Sequence, residues 1–331
     1  MKPHKLLLFS SFLLFFSCNQ SKYDLVIKNG LIFDGNGTTP ILADIAIKND
    51  TIAFVGNLGF QFDTKDVTVI DAKGMAITPG FVNMLSWSTE SLIEDGRSMG
   101  EIMQGVTLEV MGEGDSMGPI SNAMKIDATK SQGNIKYEIP WNTLGEYLTY
   151  MEKRGVSTNV ASFVGASTVR AMELGYANRP PKPEELARMK QHVKLAMEEG
   201  AMGVASALIY TPGTYSDTHE LIELSKVASI YGGTYISHLR SEGNRLEEAT
   251  DELIKIAKEA NIHAEIYHLK AAGKDNWHKI DKIITKIDSA RKAGINITAP
   301  ICIIILREQL GLMPPCRRGC KKVASTNGAE D

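Results

Sequence analysis

The run Tyr235-Ile-Ser-His238-Leu-Arg240 is matched thirty residues later by Ile266-Tyr-His268-Leu-Lys270. Each is an apolar, β-branched run that ends in a histidine, with a cation two residues further on. One helix-length segment, 245–260, lies between them. Strand, helix, strand makes the two strands parallel neighbours in one sheet. Both histidines then emerge at the carboxyl-terminal rim, where the active sites of (β/α)8 barrels sit. Two imidazoles from adjacent parallel strands can share one metal ion. The plain alternative is two ordinary strands whose histidines are satisfied by packing.

The rest of the chain supplies context for such a sheet. From Tyr23 to Leu58 apolar and polar residues alternate through Leu25, Ile27, Leu31, Phe33, Ile45, Ile47, Ile52 and Phe54. Turn dipeptides punctuate this stretch at Asn29-Gly30, Asp34-Gly35, Asn36-Gly37, Asn49-Asp50 and Gly56-Asn57. That pattern predicts a small antiparallel β unit, with 67–71 as a further strand. From Ala76-Ile-Thr-Pro79-Gly80-Phe81-Val82 onward the pattern changes. Strands are predicted at 106–111, 159–164 and 202–208, and another begins at 295–298. Helices are predicted at 142–154, 183–199, 219–231, 245–260 and 277–293. The 183–199 helix carries Leu186, Met189, Val193 and Met197 on one face. Counting from Phe81 gives seven strand starts, where a closed barrel of this kind has eight. The expected fold class is therefore α/β: a (β/α)8 TIM-barrel-like domain lacking its last strand, with a small N-terminal β-sandwich-like domain. The segments are 1–18 (signal and lipobox), 22–75 (β unit), 76–298 (barrel) and 299–331 (atypical tail).

With 331 residues, 43% of them hydrophobic, the chain can bury a large core. A net charge of −3 with no basic block excludes a nucleic-acid footprint. Lys2 and Lys5 precede an apolar run, Leu6 to Phe16, broken only by Ser10 and Ser11. This describes an export signal, too short to span a bilayer. Phe-Phe-Ser-Cys18 is similar to a bacterial lipobox, which predicts lipidation at Cys18 and a membrane anchor outside the cytoplasm. No cysteine falls between Cys18 and Cys302, so no disulfide framework crosses the body of the chain.

Several runs carry a family resemblance. Tyr23 to Gly35, Thr78-Pro-Gly-Phe81 and Gly105-Val-Thr107 resemble the amidohydrolase superfamily. Gly203 to Gly213, Ser237 to Gly243 and His268 to Lys274 are more specific and resemble the N-acyl-D-amino-acid deacylases, or D-aminoacylases. The resemblance extends from Tyr23 to Thr298. It implies a metal-dependent hydrolase of N-acyl (D-)amino acids or similar acylated small molecules. Zinc would be held by the barrel histidines, His238 and His268, and by a cysteine near the end of the second strand. An aspartate on the last strand would take the proton. Lys270 or Arg240 would grip the substrate carboxylate, with Tyr210 a further substrate-side candidate.

The departures from that pattern matter as much. Leu85 and Trp87 stand where the family carries His-x-His, so one zinc ion is expected rather than two. Gly114 replaces the cysteine ligand in Gly112-Glu113-Gly114-Asp115. Glu113, one residue away and longer, offers an oxygen, with Glu109 and Asp115 as rivals and a solvated loop carboxylate as the plain reading. Ala166 replaces a further family histidine. After Thr298 the resemblance stops, and three cysteines crowd into the tail, Cys302, Cys316 and Cys320. Codons can be chosen for 299–331 that, read two bases along, spell a segment of the family type. This predicts a frameshift. The catalytic aspartate would then be missing, and the printed chain is not expected to be an active hydrolase. The alternatives are a catalytically impaired binding lipoprotein of the same fold and an inactive gene fragment.

The anchor has a direct check. Labelled palmitate is expected to enter the wild-type chain and not Cys18→Ala; equal labelling of both would remove the lipid-anchor reading.

Overall fold

A computed structural model describes residues 22–59 and 66–299. The leader with Cys18 and the tail from Pro300 lie outside the described residues. The chain divides into two compact units between Gly80 and Phe81. The expected boundary at residue 75 is corrected for a physical reason: Ala76–Ile77 still pairs with the first strand of the first unit.

In the first unit, strands β1 (Leu25–Ile32), β2 (Ile41–Lys48) and β3 (Thr51–Gly56) run antiparallel in sequence order. Strands β4 (Thr68–Asp71) and β5 (Ala76–Ile77) then add to β1 in parallel. The described residues thus form one mixed sheet, where the sequence predicted an antiparallel, sandwich-like unit. Tyr23, Val26 and Ala46 form one small core, and Ile32, Ala43 and Ile45 form another. The turn at Asn49-Asp50 forms as predicted, with Asn49 at φ 54° and its N–H held by Asp24 Oδ2 at 2.7 Å. Asn29-Gly30 is a correction: it makes a bulge inside β1, where the register to β2 shifts. Asn29 takes φ 61° and donates to Asp44 and Asp71. A Cβ at Gly30 would lie 2.1 Å from Ile77 Cδ1, so a larger residue there would force the Ile77 side chain to shift.

The second unit is an alternation of helices with parallel strands in sequence order. These are β6 (Phe81–Asn83), β7 (Val106–Met111), β8 (Asn159–Ser162), β9 (Val164–Gly165), β10 (Gly203–Ala207), β11 (Thr234–His238), β12 (His263–Ile266) and β13 (Ile297–Thr298). β6-β7-β8 form one hydrogen-bonded sheet and β9 to β13 another. Only Phe163 separates β8 from β9, so the described residues carry the seven strand segments counted from the sequence.

Side chains on these strands alternate between two cores, as the two-residue period of a pleated strand demands. Val204, Tyr235, Ala264 and Ile297 are successive register partners across β10 to β13. All four belong to the large core packed under the helices. One residue along, Ala205 and Ile236 join Val110, Phe163 and Tyr267 in a separate apolar cluster. The helices face the sheet with one stripe each. In Leu246–Ala260 the buried positions are Leu246, Ala249, Thr250, Leu253, Ile256, Ala257 and Ala260, at helical spacing. Asn261, at φ 49°, ends that helix in a left-handed cap. The 277–293 prediction resolves into a 3-10 turn, Lys274–Lys279, followed by the helix Ile280–Lys292.

One charged pair sits inside this packing. The Arg170 guanidinium meets Glu220, and both side chains are fully buried. Arg170 also donates to the carbonyls of Ala177 and Arg179, and Ser216 Oγ donates to Glu220 at 2.8 Å. Burial pushes the Glu220 carboxyl upward, against the pull of Arg170. Removing one partner strands the other charge. Arg170→Met is therefore expected to cost about 3–5 kcal/mol in urea denaturation, and Arg170→Met with Glu220→Leu to recover much of it. A double-variant loss equal to the sum of the losses in Arg170→Met and Glu220→Leu would show that the pair is not coupled.

Candidate metal centre

Three strand ends bring three donors to one point. His238 is the last residue of β11, and its ring is buried. His268 lies two residues beyond the end of β12, with its backbone in the left-handed region at φ 37°. Glu113 lies two residues beyond β7, between Gly112 at φ 103° and Gly114 at φ 74°. A Cβ on Gly112 would meet Phe163 O at 2.4 Å, and one on Gly114 would meet the Ala207 Cβ at 2.6 Å. The chain therefore passes too close to the neighbouring strands for any side chain but the one at Glu113. The family's cysteine position, occupied here by Gly114, has no room for a thiol on this backbone.

Glu113 Oε1 is 3.2 Å from His238 Nδ1 and 3.0 Å from His268 Nε2. One donor atom from each of the three residues lies within 4.8 Å of the others. The two rings stand nearly perpendicular, at 81°, with centroids 4.5 Å apart. Ligand atoms around tetrahedral zinc, with bonds of about 2.0–2.2 Å, lie roughly 3.3–3.6 Å apart. The two Glu113–histidine distances are within a few tenths of an ångström of that spacing. Two imidazoles and a carboxylate form a donor set that zinc accepts with a fourth position open. The residues present fit such an ion.

The electrostatics agree with a cation at this point. Burial works against the Glu113 carboxylate, but the hydrogen bonds from His238 and His268 outweigh it and bring its pKa down to about 2. Burial also disfavours a charged His268, yet its hydrogen bonds to Glu113 and Glu242 carry its pKa up to about 9. Without a metal, a proton on His268 holds the positive charge that the buried carboxylate demands.

The other candidates divide by position. Lys270 places its ammonium on Glu242 and 2.9 Å from His268 Nδ1. Tyr210 is 58% exposed, its ring centroid 5.5 Å from that of His238. Arg240 is engaged elsewhere: it makes a two-pronged ion pair with Glu252 and donates to the carbonyls of Thr214 and Ser216. Of the rivals to Glu113, Glu109 is fully buried and receives the hydroxyls of Ser86, Ser98 and Thr158. Asp115 is exposed and outside the trio.

Leu85 packs against the Val110–Phe163–Ile236 cluster. Trp87 stays at the site: its indole N–H donates to Glu113 Oε2 at 3.1 Å. Glu242 went unremarked in the sequence reading. Its Oε1 lies 3.2 Å from His268 Nδ1 and 3.5 Å from His238 Nε2. The only available signal was its place in the Ser237–Gly243 run, four residues after the first histidine.

No family model matches the chain. Relatives do. D-aminoacylase from Alcaligenes xylosoxydans xylosoxydans is 29% identical over 272 residues, which cover 81% of this chain and 55% of that protein. The N-acyl-D-glutamate deacylase of the same organism is 29% identical over 284 residues, covering 85% and 57%. Among solved structures, the crystal structure of D-aminoacylase superposes with a TM-score of 0.75 at 27% identity, over 84% of this chain and 58% of that one. N-acyl-D-glutamate deacylase from Bordetella bronchiseptica does so with a TM-score of 0.75 at 26% identity, over 85% and 58%. The chain spans a little over half the length of these relatives.

The raised pKa of His268 fixes the sign of a pH effect. A metal needs the neutral imidazole, so at pH 7 zinc must displace a proton from His268. Calorimetry in two buffers of different ionisation enthalpy is expected to show about one proton released. Apparent zinc affinity is expected to rise with pH and flatten near 9. An affinity independent of pH between 6 and 9, as the test range, would show that His268 is not a ligand.

Proposed function

We infer that the chain belongs to the D-aminoacylase family of the amidohydrolase superfamily. On that premise we propose that it hydrolyses the amide bond of N-acyl D-amino acids, or of similar acylated small molecules. One zinc ion would be held by Glu113, His238 and His268. The observation that carries this reading is the single carboxylate oxygen of Glu113 lying 3.2 and 3.0 Å from nitrogens of two histidines on different strands. Two relatives support it. The Bordetella N-acyl-D-glutamate deacylase was crystallised with zinc and a phosphonate mimic of the tetrahedral intermediate. The binuclear centre of a D-aminoacylase is described by one-metal activation and second-metal attenuation.

Bound here, zinc supplies Lewis acidity and lowers the pKa of water to about 7. The chain's own residues supply the rest. Trp87 occupies Glu113 Oε2 and leaves Oε1 to face the histidines. Leu85 and Trp87 offer no imidazole for a second ion. Tyr210 presents an exposed ring and hydroxyl beside His238. Lys270 is the cation nearest the histidines and would attract a substrate carboxylate. Arg240 is a weaker candidate for that role, because Glu252 and two carbonyls use most of its donors. The aspartate that the family resemblance puts after residue 298 falls outside the described residues. Export and anchoring through Cys18 would bring this chemistry to substrates outside the cytoplasm.

One observation favours a second reading. Where the resemblance calls for a histidine pair, an apolar Leu85 packs into the Val110–Phe163–Ile236 cluster and Trp87 hydrogen-bonds Glu113. A protein that binds acylated amino acids without cleaving them would tolerate that exchange.

Elemental analysis of the zinc-loaded chain is expected to give about one ion per chain. His238→Ala and His268→Ala are each expected to abolish binding, and Glu113→Gln to weaken it. On a panel of N-acetyl-D-amino acids with zinc, a frame-corrected chain is expected to show turnover and the printed chain to show none. Two tightly held ions would overturn the one-ion assignment. Zinc-dependent binding of the panel without turnover by the frame-corrected chain would support the second reading instead.

A further inference from the structure

The carboxylate of Glu109 is fully buried, yet no cation pairs with it among the described residues. Its partners are neutral hydroxyls. Ser86 Oγ donates to Oε2 at 2.7 Å, Ser98 Oγ to Oε1 at 2.8 Å and Thr158 Oγ1 to Oε1 at 3.0 Å. Burial works against the charge, but the hydroxyl bonds outweigh it and hold the pKa below its ordinary value.

Two of those hydroxyls are the ends of one segment. Residues 86–98 follow β6 and carry Trp87, whose indole N–H donates to Glu113 Oε2 at 3.1 Å. Ser86 Oγ also accepts the backbone N–H of Ser88 at 3.1 Å, so both neighbours of Trp87 are tied at the Glu109 end. Ser98, at the far end, has its backbone in the left-handed region at φ 46°, a conformation that residues with a side chain rarely adopt. Its bond to Glu109 helps to hold it there.

We propose that Glu109 is a positioning residue that holds Trp87 against Glu113. The buried carboxylate fastens both ends of segment 86–98, and the indole then ties Glu113 Oε2 while Oε1 faces the histidines. This role deepens the zinc reading and relies on it only for the affinity measurements below.

An apolar side chain at position 109 would fill the same space and make no demand on its neighbours. A buried carboxylate is tolerated only while its oxygens keep their donors. Moving Ser86 or Ser98 away would strip a bond from a charge that water does not reach. The segment is thus fixed by the cost of its own displacement. Glu109 does not enter the trio itself. It shares its side of β7 with Met111, which packs in the large core under the helices. Glu113 lies two residues beyond the same strand. Anchor and target therefore belong to one strand and its end, and Trp87 bridges them from the neighbouring segment.

The test uses the full chain, metal-free and at neutral pH, with the indole nitrogens labelled. The three tryptophans are Trp87, Trp141 and Trp277, and Trp87→Phe assigns the signal of the first. Glu109→Gln, close in shape and uncharged, is expected to shift or broaden the Trp87 indole N–H signal. Ser98→Ala, which keeps the carboxylate and removes one tether, is expected to do so to a smaller degree and serves if Glu109→Gln fails to fold. Trp141, whose indole donates to Met117 O at 2.7 Å, and Trp277 are expected to stay in place. Chelator competition is expected to show zinc affinity about 10–100-fold lower in Trp87→Phe and lowered also in Glu109→Gln. The double variant is expected to be no weaker than Trp87→Phe alone, because one residue acts through the other.

A Trp87 signal unmoved in both Glu109→Gln and Ser98→Ala would overturn the proposal. So would equal shifts of all three indoles, which mark a general loosening, or affinity losses that add in the double variant. If the wild-type chain binds no zinc and the Trp87 signal alone still moves, the metal reading fails and the role of Glu109 stands.

Discussion

A single oxygen, Glu113 Oε1, is shared by two imidazoles that lie 125 and 155 residues away in the chain. Placing a carboxylate there is costly, because it is buried and an unpaired buried charge is strongly unfavourable. The site resolves this by demanding a positive charge from its neighbours. Metal-free, His268 answers with a proton that it keeps up to about pH 9. A divalent cation bound there would meet the same demand more fully, and both histidines would turn from hydrogen-bond donors into ligands. Proton and metal would compete for one electrostatic position, which Glu113 defines.

The scaffold makes that position geometrically cheap. Register across β10 to β13 puts Val204, Tyr235, Ala264 and Ile297 in one layer under the helices, and this fixes how the strands line up. Ala207 is then the partner of His238 at the strand ends. The long helix–strand connections carry the sequence distance, and the short rim segments carry the chemistry. A hydroxyl cluster supports the floor beneath His238: Ser206 Oγ contacts Tyr235 Oη at 2.7 Å and donates to Ser237 Oγ at 2.9 Å. Polar groups buried there have partners, so the strand end that aims His238 carries little freedom.

Much of this was legible in the sequence, for identifiable reasons. Strands ending in histidine show as apolar runs with an abrupt polar stop, and the helices between them show as stripes such as Leu186, Met189, Val193 and Met197. Those signals depend on local periodicity. What stayed hidden depends on distant contacts. The Asn29-Gly30 pair reads as a turn from local chemistry alone, yet it forms a bulge inside β1 with the Ile77 side chain close against Gly30. The two histidines look equivalent in sequence, yet His238 ends its strand and His268 lies two residues beyond, in a left-handed backbone. Trp87 reads as the loss of a ligand, because its bond to Glu113 joins residues that no pattern connects. Glu242 has no signature, since its partners are defined only once both rings are in place.

The glycines on either side of Glu113 have a consequence for how such a centre diversifies. Gly112 and Gly114 are fixed by backbone sterics, against Phe163 and Ala207 respectively, and both take positive φ. The residue between them is under no such constraint, because its backbone is already set by its neighbours. The rim therefore works as a socket in which the third donor can be exchanged while the fold stays as it is. A hard carboxylate oxygen there selects one set of cations, and an imidazole or thiolate would select another. Returning a donor to position 114 would instead require β10 to move. In this chain, preference among cations would thus turn on position 113, while the location of the centre is set by strand ends of both sheets.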